Sequence, residues 1–138
     1  MGEMSEEQAR WLGRRAVACE GWLLASGMEG YDECGARLVC VDGAERVFAP
    51  DVWAYEPLPA LKDNVRGFWP DFRDACTRGG LLELVREATG DAHGFVRSGI
   101  SARDGRPRWW PMFGTRVAQG DGYATEAEAL VAALEGAP

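Results

Sequence analysis

The sequence predicts an α+β fold in which antiparallel β-hairpins are covered by two to three amphipathic helices, in the order α-β-β-β-α-β-β-α. Three observations carry it. Asp42-Gly43 and Asp104-Gly105 each separate two β-prone runs, the strongest short-range hairpin signal. Ser5-Glu6-Glu7-Gln8 and Thr125-Glu126-Ala127-Glu128 both read as capping boxes that open helices. Leu81, Leu84, Val85 and Ala88 follow the i, i+3, i+4, i+7 spacing of an amphipathic core face.

The first helix should run from Ser5 to about Glu20 and stop at Gly21 or, as an alternative, at Gly27. It places Leu12, Ala16 and Cys19 on one face, and Gly13 weakens its interior by about 1 kcal/mol relative to Ala. Residues 27–35 read as turn-rich. Arg37–Val41 and Ala44–Ala49 form the first hairpin, Pro50 closes it, and Val52–Tyr55 follows as a third strand. Leu61–Phe72 has no clear period and reads as loop with a short strand or turn. Asp74 is the expected N-cap of the second helix, with Thr77 at the third position and Gly79-Gly80 as an alternative entry. Gly90 is its stop. Phe95–Arg97 and Arg108–Phe113 form the second hairpin, and Arg116–Val117–Ala118 extends it past Gly114. The last helix buries Ala127, Leu130, Val131 and Leu134.

A length of 138 residues suits one domain with a shared core. The Pro57–Pro70 stretch could divide it into a helix-plus-hairpin lobe (1–60) and an α-β-β-α lobe (71–138). Six Trp and an ordinary apolar fraction argue for a folded chain. No stretch approaches the ~20 apolar residues of a membrane span, and the acidic start lacks the basic region of a secretion signal. Gly2 does not open a myristoylation motif, because Glu6 stands where Ser or Thr is needed. The expected location is the cytoplasm, the host's if the chain is phage-encoded. In that reducing setting Cys19, Cys34, Cys40 and Cys76, which form no C-x-x-C pair, read as small buried hydrophobes and not as a zinc site.

The formal charge is −7 but unevenly spread. Residues 1–60 carry eleven acids against five Arg, whereas residues 92–119 carry five Arg against one Asp. Overall acidity argues against bulk coating of nucleic acid and leaves a local basic stripe open.

No catalytic constellation emerges. His93 is the only histidine, which removes most acid–base and triad designs. Glu83 and Glu87 lie i, i+4 on the border of an amphipathic helix, and Asp71 and Asp74 flank a helix start where capping explains them. Gly79-Gly80 lacks the lysine and the third glycine of a phosphate loop. No cofactor and no metal site is expected. The most suggestive group is Arg103, Arg106, Arg108, Trp109, Trp110 and Arg116, since Arg and Trp are enriched at binding hot spots. The competing reading is an edge hairpin whose Arg residues oppose aggregation and whose Trp packs under a helix. Trp109 and Trp110 must point to opposite faces of a strand. The acids Glu29, Asp32, Glu33, Asp42, Glu45, Asp51 and Glu56 raise a DNA-mimic reading, but Arg37 and Arg46 interrupt them, so an ordinary solvated face is favoured.

Residues 74–88 (Asp74-Ala75-Cys76-Thr77-Arg78-Gly79-Gly80-Leu81 through Ala88) and 125–135 (Thr125-Glu126-Ala127-Glu128-Ala129-Leu130 through Glu135) resemble small phage and prophage proteins with an ABA-sandwich-like unit. The resemblance covers roughly residues 74–138. It implies a helix, a Trp-bearing hairpin and a C-terminal helix in one compact unit, and it carries over no catalytic residues. It also implies a phage accessory protein that binds a host protein or nucleoprotein, with an anti-CRISPR-like inhibitor as the leading expectation. Contacts would fall on Arg103–Arg116 and on exposed acids such as Glu29, Asp32 and Glu33. A small nucleic-acid-binding module using the Arg/Trp hairpin is the alternative, and an unrecognised hydrolase or nuclease the third. The sequence leaves the oligomeric state open.

Overall fold

The computed structural model describes residues 4–23, 28–31, 37–41, 46–48, 69–114 and 120–137, with only the strand backbones described at 37–41 and 46–48. The chain is α+β. Its elements are α1 (Glu6–Val17), β1 (Glu29–Tyr31), β2 (Arg37–Val41), β3 (Arg46–Phe48), β4 (Trp69–Pro70), α2 (Ala75–Thr89), β5 (Phe95–Ile100), β6 (Pro107–Met112) and α3 (Glu126–Glu135).

Each helix starts where a short polar side chain can satisfy an orphan N–H. Ser5 Oγ accepts from Gln8 N and Gln8 Oε1 accepts from Ser5 N, a complete capping box. Asp74 accepts from Thr77 N. Thr125 accepts from Glu128 N, but Glu128 does not reach back, so α3 has half of the expected box. α2 ends at Gly90 in the left-handed conformation (φ 72°), as a glycine C-cap should. α1 stops at Val17, one turn earlier than its pattern suggests, and the chain turns through Cys19 to Trp22.

Two readings need correction. Gly79 and Gly80 lie inside α2 and do not admit the chain to it, because Asp74 already supplies the cap. The turn-rich segment contains a strand: β1 pairs with β2 (Gly30↔Leu38) and with β4 (Gly30↔Pro70), giving the antiparallel order β3-β2-β1-β4. Local propensity gives no sign of β1, a three-residue strand centred on glycine. Pairing on both sides creates it. The first hairpin is present (Val41↔Arg46), Pro70 sits on an edge strand where its missing N–H is tolerated, and the expected strand at Val52–Tyr55 lies outside the described residues.

One core gathers Leu12 and Ala16 of α1, Leu81 and Val85 of α2, Phe72, Phe113, and Ala127, Leu130, Val131 and Leu134 of α3. These are the apolar faces that the periodicity marks. Gly13 has a packing reason: a Cβ there would lie 2.6 Å from the Pro70 carbonyl oxygen, so glycine lets α1 approach β4. Arg15 of α1 forks onto Glu135 of α3 and closes the helix layer. That contact raises the Arg15 pKa and lowers that of Glu135. Among the described residues, no helix is long and apolar enough to cross a membrane.

Candidate interaction surface

The second sheet is the β5–β6 hairpin, paired from Phe95↔Met112 to Ile100↔Pro107. Its base is fixed by side chains of the preceding turn and helix. Asp91 accepts from the N–H of Gly114 (2.8 Å) and of His93 (3.0 Å), joining the two strand ends, and those bonds hold its carboxyl below the usual range. Arg86 Nε donates to the Gly94 carbonyl at 2.8 Å. Gly94 is obligatory, since a Cβ would sit 2.1 Å from the Phe113 ring. At the tip, Ser101 N donates to Arg106 O, and Gly105 takes φ 70° in the turn.

Alternation divides the side chains into two faces. Val96, Ser98, Ile100 and Trp109 share the inner face; Val96 packs on the core beneath it, Trp109 lies beside the start of α3, and Ser98 and Ile100 stay exposed. Trp109 there lines a cavity of about 560 Å³ with Met4, Phe72, Arg78 and Glu126. Phe95, Arg97, Gly99, Arg108, Trp110 and Met112 share the outer face. Trp110 lies flat on that face, with Gly99 and Gly122 beneath it. Cβ atoms at those positions would come within 3.1 and 2.8 Å of the ring. Its indole Nε1 donates to Gly120 O at 3.1 Å. The Arg97 guanidinium stacks over the same ring, 5.2 Å from the centroid. Phe95 beside it is 49% exposed.

Of the expected Arg group, Arg103, Arg106 and Arg108 lie together at the hairpin tip. Arg103 pairs with Asp121 (2.7 Å) and Arg108 with Asp104 (2.8 Å), so two of its cations are neutralised locally. Asp104 in turn is held below its usual carboxyl range, first by the Arg106 N–H and then by Arg108. The Arg106 side chain is exposed, with no hydrogen bond among the described residues. Trp109 and Trp110 do face opposite ways, and both stay partly exposed. Glu29 lies in β1, its N–H donating to Thr77 Oγ1 (2.9 Å). Arg116, Asp32 and Glu33 lie outside the described residues, as do Asp42, Glu45, Asp51 and Glu56. Sequence reasoning missed Phe95, Arg97 and Met112. Arg97 carried a readable signal, because it alternates with Phe95 along one strand.

Elsewhere, Asp71 is buried (2% exposed) and holds a polar cluster that capping logic did not foresee. It accepts the Tyr31 hydroxyl at 2.8 Å and a fork from Arg73, at 3.0 Å on each oxygen. Arg73 also donates to the Tyr31 hydroxyl oxygen. This ties β1 to the start of α2. Glu83 and Glu87 are exposed, and Glu83 pairs with Arg86, as expected of a solvated border. His93 is exposed, and among the described residues only its backbone N–H makes a hydrogen bond. Cys76 is exposed, contrary to the buried reading, because it occupies the outward side of the first turn of α2. Cys19 is half-buried, and burial pushes its thiol pKa up. Among the described residues, no group of three or more His, Cys, Asp or Glu could hold a metal ion.

A scan against protein-family models and searches of curated proteins and of solved structures match nothing in this chain.

Proposed function

We propose that this protein acts by binding another macromolecule, and that the outer face of the β5–β6 hairpin is the contact surface. The observation that carries this reading is the row Phe95, Arg97, Trp110 and Met112 on one strand-paired face. It is a rigid aromatic platform topped by a guanidinium and flanked by an exposed phenyl ring. Aromatic and Arg anchors on a preorganised element contribute most at interfaces, because little side-chain entropy is lost on binding.

The resemblance of residues 74–88 and 125–135 to small phage proteins favours a bacterial host protein or nucleoprotein as the partner. An anti-CRISPR-like inhibitor of a defence complex is the leading form of that reading. The Arg97–Trp110 stack also suits an unpaired base, so direct nucleic-acid binding is the second reading. Pairing of Arg103 and Arg108 with Asp121 and Asp104 weakens that second reading by removing local positive charge.

Affinity capture from a bacterial lysate containing CRISPR effectors, with and without nuclease, separates the two. A stoichiometric protein partner that survives nuclease supports the inhibitor reading. Recovery of nucleic acid alone, falling steeply with salt, would replace it with the second.

A further inference from the structure

We infer that the free edge of β5 is a self-association surface, on which β5 of a second copy pairs antiparallel with Ser98 opposite Ser98. Trp109 exchanges both of its backbone bonds with Tyr123 (2.9 and 2.8 Å), so its N–H and C=O point away from β5. Ser98 stands opposite Trp109 and must therefore point its own N–H and C=O away from β6. The same holds for Val96 and Ile100. Their β6 partners are Pro111 and Pro107, which lack an N–H and suit positions that donate nothing to the ladder.

The two edges of the hairpin consequently differ. On β6 the outward positions are two prolines around the single Trp109–Tyr123 bridge, and that edge is blocked. On β5 the outward positions are Val96, Ser98 and Ile100, whose three N–H and three C=O groups have no hydrogen-bond partner among the described residues. Such a row is a template for another strand.

Self-complementarity selects the occupant. With Ser98 opposite Ser98, Val96 faces Ile100 of the second copy on both sides of the two-fold axis, and all six groups are satisfied. Sliding one copy by two residues leaves only four satisfied. In one direction that slide also sets Arg97 opposite Arg97. The chosen register puts Arg97 opposite Gly99 instead. It sets Ile100, 66% exposed in one copy, beside the core-packed Val96 of the other. Charge agrees as well. Arg106 at the tip, whose side chain makes no hydrogen bond among the described residues, is carried toward Glu87 and Asp91 of the second copy, at the negative end of α2. Ser98 and Ile100 are exposed, so the helix layer leaves this edge open.

The full chain should sediment as a dimer, at twice 15.1 kDa, over micromolar concentrations. Ser98→Pro removes one edge N–H without touching the β6 ladder, and Ile100→Glu places a charge at the joint. Each should return the mass to 15.1 kDa with circular dichroism unchanged. A wild-type chain that stays at 15.1 kDa overturns the inference, and so does a dimer that survives Ile100→Glu in a folded chain. Either result reads the β5 edge alone and leaves the binding role of the outer face to its own experiment.

Discussion

Arg97 and Trp110 are direct cross-strand partners, and the guanidinium of one lies 5.2 Å from the ring centroid of the other. The stack has a floor as well as a cap. Gly122 holds φ 74° and leaves no room for a Cβ, which would meet Trp110 at 2.8 Å and the Trp109 carbonyl at 2.9 Å. Gly122→Ala should therefore destabilise the fold by about 1–2 kcal/mol, the usual cost of a side chain in the left-handed region. It should also shift the Trp110 indole N–H resonance, which reports the bond to Gly120 O. Urea unfolding and one proton–nitrogen spectrum check both expectations.

Two glycines inside helices should respond to alanine with opposite signs. A Cβ at Gly79 meets nothing within 4 Å, so Gly79→Ala should stabilise by about 0.5–1 kcal/mol through helix propensity alone. Gly13→Ala drives a methyl to 2.6 Å from the Pro70 backbone oxygen and should cost about 1–3 kcal/mol as α1 and β4 are forced apart. Thermal melts of the two variants measure this directly.

Helix faces, caps and hairpins were legible because each is encoded within a dozen residues. Ser5, Asp74 and Gly90 take the roles their positions suggest, and Leu81, Leu84 and Val85 are buried as their spacing requires. What depends on distant pairing was not legible. β1 is flanked by β2 and β4 on either side of Gly30, and the buried Asp71 is met by Tyr31 from 40 residues away. Register explains the site. A two-residue Asp104–Gly105 loop would pair Arg103 with Arg106 and set Arg97 opposite Met112. The actual turn closes on Ser101 and Arg106 and shifts the partner of Arg97 to Trp110.

The buried Asp71 cluster should be a stability determinant. Asp71→Asn keeps an oxygen for the Tyr31 hydroxyl but loses the charged fork from Arg73. A loss of about 1–3 kcal/mol is expected, the range for hydrogen bonds to a buried charged group. Guanidinium titration should show a lower midpoint with an unchanged slope, since only the folded state is affected.

The Arg15–Glu135 bridge gives a pH signature. Its partner lowers the Glu135 pKa below the unfolded value, so the bridge stabilises the fold above that value. The contribution is lost as pH falls through the folded pKa. Glu135→Gln should cost less than about 1 kcal/mol near neutrality, because the pair is solvent-screened. The difference between wild type and variant should shrink as pH falls below the ordinary carboxyl range of about 4.3 and vanish only below the depressed folded pKa, where the carboxylate is protonated in both states. Melting temperatures of the two proteins across pH 3–7 trace that convergence.

Binding of a macromolecular partner on the outer face of β5–β6 is the proposed role. Its most direct measurement is a quantitative comparison of captured partner between wild type and Phe95→Ser/Arg97→Ala, from the same nuclease-treated lysate. Both substitutions lie on the outer face, and neither removes a backbone bond. A fall in capture of tenfold or more, with circular dichroism and oligomeric mass unchanged, is the expected result. Undiminished capture by the folded variant would contradict it and remove this face from the account.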